Sequence, residues 1–125
     1  MNFIETSKAP AAIGPYSQAV LCDKTLFTSG QLGIDPKNGV LMEGIEAQTQ
    51  QALENLSQIL LETKMSIHNV AKVTIFLQSM KDFQKVNDIY AQFFGDHKPA
   101  RSTIEVSALP KSALIEIEAI ATKYT

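Results

Sequence analysis

The sequence predicts an α+β domain, a mixed sheet with two helices on one face. Three observations predict it. The chain has 125 residues, enough for one hydrophobic core and too few for a two-domain enzyme. Apolar residues recur at helical spacing in two stretches, and at period two in about six others. Hydrophobic residues make up 45% and charged residues 19%, a balance that favours a globular fold over disorder.

Taken in order, a short strand is expected at 2–5, followed by strands at 17–22 and 26–29. Ile45, Ala52, Leu53, Leu56, Ile59 and Leu60 then form the single apolar stripe of a first amphipathic helix. A strand at 70–78 precedes the second helix, whose stripe is Phe83, Val86, Tyr90, Phe93 and Phe94 and whose C-terminal stop is Gly95. Strands at 102–106 and 114–121 complete the set. Gly and Pro fall at element ends and no segment repeats, so residues 1–125 read as one domain.

Alternation assigns the faces. Ala71, Val73, Ile75 and Leu77 form one side of their strand, and Lys72, Thr74, Phe76 and Gln78 the other. In the last strand Ile115, Ile117, Ala119 and Ala121 oppose Leu114, Glu116, Glu118 and Ile120. Two helices cover one side of such a sheet, so the aliphatic faces belong under them. The mixed face keeps Phe76, Leu114 and Ile120 beside charges, which favours burial against another subunit over a simply exposed sheet.

In 101–106 the same count separates Arg101, Thr103 and Glu105 from Ser102, Ile104 and Val106. With the apolar set assigned to the core, Arg101 is expected on the mixed face with Glu116. An arginine fork grips a planar carboxylate while a nearby carboxylate handles protons. The plain alternative is a cross-strand Arg–Glu ion pair.

Other classes of function are disfavoured. A net charge of −2 supplies no basic field, so nucleic acid is not the expected partner. Cys22 is the only cysteine, and with His68 and His97 far apart no zinc spacing is present; a metal-free protein of a reducing compartment, the cytoplasm, is expected. The start MNFIETSKAP has neither a basic region nor an apolar stretch of signal-peptide length, and no apolar run is long enough to span a membrane. Gly30 and Gly33 lack the strand–turn–helix context of a dinucleotide site, so Ser29-Gly30 is read as a bend or a close backbone approach. There is no nucleophile elbow, and His68 and His97 read as surface or helix-end residues. Tyr16, after Gly14-Pro15, either donates a hydrogen bond to a site or caps a local loop.

Four motifs then stand in order: Gly14-Pro15-Tyr16-Ser17-Gln18-Ala19; Phe27-Thr28-Ser29-Gly30-Gln31-Leu32; Pro99-Ala100-Arg101-Ser102-Thr103-Ile104-Glu105-Val106; and Leu109-Pro110 followed by Ile115-Glu116-Ile117-Glu118-Ala119-Ile120-Ala121. Together they resemble the Rid, or YjgF, family of reactive-intermediate deaminases, essentially end to end. The resemblance implies a chorismate-mutase-like α+β fold and a homotrimer with a barrel-like core and ligand clefts between neighbouring subunits. It implies hydrolysis of 2-imino acids such as 2-iminobutanoate and 2-iminopropanoate to 2-oxo acids and ammonia, protecting pyridoxal-phosphate enzymes from damage, with no cofactor. The family's carboxylate-binding arginine falls on Arg101, its water-handling glutamate on Glu116, its cleft tyrosine on Tyr16, its backbone contacts on Ser29 and Gly30, and a helix asparagine on Asn87. Thr103 stands where many members have cysteine, so it is expected to bind substrate by its hydroxyl and not to attack. A non-catalytic regulatory trimer binding small carboxylates is the alternative, and ribonuclease activity, reported in the family, has no basic stripe to support it.

Overall fold

The computed structural model describes residues 1–124. Strands β1 (Asn2–Ile4), β2 (Ala19–Cys22) and β3 (Thr25–Thr28) form an antiparallel meander. Two-residue strands follow, β4 (Gln31–Leu32), β5 (Ile34–Asp35) and β6 (Val40–Leu41), and then helix α1 (Gly44–Glu62). Strand β7 (Val70–Leu77), helix α2 (Phe83–Phe94), strand β8 (Ala100–Glu105) and strand β9 (Ile115–Thr122) complete the chain. Among the described residues the order across the sheet is β1-β2-β3-β9-β7-β8, with β4 also on β9 and only β7 and β8 parallel. β5 and β6 form a separate ribbon. The helices-on-mixed-sheet expectation therefore stands, with seven strands in the sheet where about six were expected.

The core follows the first stripe closely. Ala52, Leu53, Leu56, Ile59 and Leu60 of α1 are buried on Val73, Ile75, Leu77, Ile115 and Ile117. In α2 only Val86 and Phe94 are fully buried; Phe83, Tyr90 and Phe93 are half-buried, because α2 lies over the edge of the sheet where β8 is the last strand. Gly95 ends α2 at φ 61°, a left-handed position suited to glycine, and its N–H bonds to the Ala91 carbonyl.

Two details depart from the alternation. The β7–β9 register shifts between Val70 and Lys72, so Ala71 is exposed and Val70 takes its place in the core. Leu114 lies outside β9 and packs against the core instead of joining the mixed face.

Buried polar side chains of α1 hold the short strands. Asn55 donates to the Leu32 and Ile34 carbonyls at 3.1 and 3.0 Å, and the Gln48 amide oxygen accepts from Leu114 N at 2.8 Å. Gly33 passes so close to the Gln48 backbone that a Cβ there would overlap it. Among the described residues no helix is long and apolar enough to cross a membrane.

Candidate functional site

The site begins at an irregularity in the sheet. Phe27 opposes Ile120 while Gln31 opposes Ile117, so β3–β4 gains one residue on β9, a β-bulge centred on Ser29-Gly30. Side chains stabilise the break. Ala119 N donates to Thr28 Oγ1 at 3.0 Å, and Ser29 Oγ donates to the Ser17 carbonyl at 2.6 Å while its N–H meets the Gln18 carbonyl at 2.9 Å. The Ser29 hydroxyl is thus engaged with backbone.

Glu116 sits beside this bulge. In register it lies between Leu32 and Phe76, and its carboxylate occupies the space that a Cβ on Gly30 would fill. Burial, and then the like charge of Glu118, push the Glu116 carboxyl above the usual glutamate range. A carboxylate so placed is a stronger base than an exposed one.

A cleft of about 790 Å³ opens over Glu116, lined also by Tyr16, Ser29, Gly30 and Lys111, with mostly apolar walls from Pro10–Ile13, Ile34 and Pro36. Tyr16 is 55% exposed, and its N–H closes a tight turn onto the Gly14 carbonyl at 2.9 Å. Buried Gln18 fixes the wall: its Oε1 accepts from Thr6 N at 2.7 Å and its Nε2 reaches the Thr6 and Pro10 carbonyls at 3.0 and 2.7 Å. Sequence reasoning missed this role: Gln18 has the parity of Val20, opposite to the core residues Ala19 and Leu21, so alternation gives no signal for its burial.

Arg101 is elsewhere. In the parallel β7–β8 register it pairs with Val73, and Thr103 pairs with Ile75; both partners lie fully buried under the helices. Arg101 and Thr103 therefore face α2, and Glu116, paired with Phe76, lies on the opposite face. The expected common face of Arg101 and Glu116 is corrected, and with it their cross-strand ion pair. The reason is the edge position of β8. Ile104 is left 46% exposed on the open face, while the Arg101 guanidinium lies 4.8 Å from the Tyr90 ring centroid and 5.7 Å from that of Phe83. The aromatic half of α2's stripe receives a cation where an aliphatic residue was expected.

Asn87, four residues after Phe83 and three before Tyr90, shares that stripe. Burial pushes the Tyr90 phenol up, partly offset by the Arg101 charge, so it stays protonated at neutral pH. Among the described residues, Tyr90 Oη and Thr103 Oγ1 are both buried without a hydrogen-bond partner. One chain thus carries two groups of candidate residues: Tyr16, Ser29, Gly30 and Glu116 at the cleft, and Arg101, Thr103 and Asn87 beneath α2. The histidines belong to neither; His97 Nε2 contacts the Val70 carbonyl at 2.7 Å, and His68 lies in a 3-10 turn.

A family model described as Endoribonuclease L-PSP matches residues 6–123. The chain belongs to the Rid (YjgF, L-PSP) family. Among its Rid-family relatives, human 2-iminobutanoate/2-iminopropanoate deaminase is 50% identical over 119 residues, 94% of this chain and 87% of that one. The RutC family protein of Pyrococcus horikoshii is 53% identical over 121 residues, 96% of each. The solved structure of Escherichia coli TdcF with bound serine superposes with a TM-score of 0.95 at 39% identity, covering 98% of this chain and 99% of that one. The Rid fold inferred from the four motifs is accordingly the fold of the protein.

Proposed function

We propose that this protein hydrolyses 2-imino acids, 2-iminobutanoate and 2-iminopropanoate among them, to 2-oxo acids and ammonia, working as a cytoplasmic homotrimer that spares pyridoxal-phosphate enzymes from reactive imines. The observation that carries the reading is the division of the site. A carboxylate anchor, Arg101, and a basic carboxylate, Glu116, lie on opposite faces of one sheet, so a shared substrate requires two chains. A cyclic trimer makes head-to-tail contacts in which the two halves of neighbouring subunits meet. The open sheet face, with Phe27 and Ile104 each 46% exposed, supports such burial, and the names of the mammalian relatives support the reaction.

The chemistry follows from these groups. Arg101 holds the substrate carboxylate through paired N–H donors, with Asn87 and Thr103 beside it. Glu116 takes a proton from water as the oxygen adds to C2, giving a carbinolamine, and returns that proton to nitrogen. The C2–N bond then breaks, ammonia leaves, and loss of the hydroxyl proton gives the 2-oxo acid. Tyr16 and the Gly30 backbone supply hydrogen bonds to the carbinolamine. Fixing water against a clamped substrate provides most of the acceleration.

The test is 2-oxo acid and ammonia release from imines generated by an amino-acid oxidase, against the spontaneous rate. Release above background is expected. Tight binding of 2-oxobutanoate without turnover would point instead to the non-catalytic carboxylate-binding trimer.

A further inference from the structure

We propose that Tyr90, seconded by Phe83, is a positioning residue that presents the Arg101 guanidinium to the substrate carboxylate in one orientation. The proposal rests on the reading of Arg101 as the anchor. Arg101 stands on β8, the last strand of the sheet, where among the described residues no further strand confines its side chain. Among the described residues, the partners of the guanidinium are aromatic faces at 4.8 and 5.7 Å.

That choice of partner has a consequence for binding. A carboxylate partner would occupy the donor fork, whereas a ring takes the flat face of the cation and leaves its N–H edges free. Two rings two helical turns apart, on the most regular element nearby, hold the cation without blocking it. Asn87 stands between them on the same stripe, so the helix that orients the anchor also carries a second polar group on that side. The ring, and not the hydroxyl, is the working part: among the described residues Tyr90 Oη is buried with no hydrogen-bond partner, whereas its ring lies against the Arg101 guanidinium.

Steady-state kinetics on the intact protein, with calorimetric binding of 2-oxobutanoate as probe, tests this. Tyr90→Leu should raise KM and weaken 2-oxobutanoate binding by about 2- to 30-fold, the range of a cation–π contact, with kcat within about twofold of the parent. Tyr90→Phe should restore both, and Phe83→Leu should move KM in the same direction by less, its ring being farther away. A merely structural role would lower the melting temperature and the active fraction without moving KM. Should Tyr90→Leu not fold, the other two variants decide: parental KM in Phe83→Leu, or a raised KM in Tyr90→Phe, overturns the proposal. Arg101→Ala separates the two readings. If it keeps parental binding, the anchor assignment is wrong; if it loses binding while Tyr90→Leu keeps the parental KM, only the positioning role is wrong.

Discussion

Glu116 is half-buried between Leu32 and Phe76 with Glu118 on the same face, so folding favours its protonated form. The sign of the effect on stability follows. Its folded pKa lies above the unfolded one, so the associated stability is present below the ordinary glutamate range and is lost as pH rises through the raised value. Glu116→Gln should therefore melt higher than the parent at neutral pH, with the difference shrinking in acid, as measured by calorimetry across pH. On the proposed mechanism the same substitution removes the base, and hydrolysis should fall by about 10²–10⁴-fold. In the parent, the acid limb of kcat should lie above the usual carboxylate range. Gly30→Ala tests the site by geometry instead of chemistry. Its Cβ would overlap the Glu116 carboxylate, so the base must move, and about 10²-fold of the rate should go while Glu116 itself is intact. Parental activity in Gly30→Ala would show that Glu116 has room to work from another position.

Among the elements, those made by periodicity were legible and those made by tertiary contact were not. The stripe of α1 and the alternation of β9 bury the residues that their spacing assigns to the core, because each lies in the middle of the fold with neighbours on both sides. Strands β4, β5 and β6 are two residues each; β4 and β5 owe their place to the bulge at Ser29-Gly30 and to Asn55, and β6 to its pairing with β5, none of which leaves a periodic trace. The parity of β8 was counted correctly and its core side assigned wrongly. Apolar character marks the covered face in a central strand, but at an edge under an aromatic helix a guanidinium occupies that side. Family motifs point to the candidate residues without indicating that they divide between two faces. Gln18 offers a check at this scale, because its carboxamide is the latch between β2 and the segment that walls the cleft. Gln18→Leu leaves those backbone groups without partners and should cost about 1–3 kcal/mol, with the Thr6 amide exchanging hydrogen far faster than in the parent. Unchanged protection at Thr6 would mean that the wall is held by other contacts.

At the scale of the molecule, the division of the site makes a prediction that no single-chain mechanism shares. On the proposed mechanism Arg101→Ala and Glu116→Gln should each lose most activity alone, the first lacking the anchor and the second the base. When the two variants are co-expressed and assemble at random, a site formed between neighbours takes Arg101 from one chain and Glu116 from the next. Each has an even chance of being intact, so about a quarter of the sites in a cyclic trimer should recover both groups. Hydrolysis at about that fraction of the parental rate, with light scattering giving a trimeric mass, is the expected result. If one chain supplied both residues, every site in the mixture would carry a defect and no activity would return. Co-assembled trimers that stay inactive would therefore place Arg101 and Glu116 in separate sites and remove the shared-substrate mechanism.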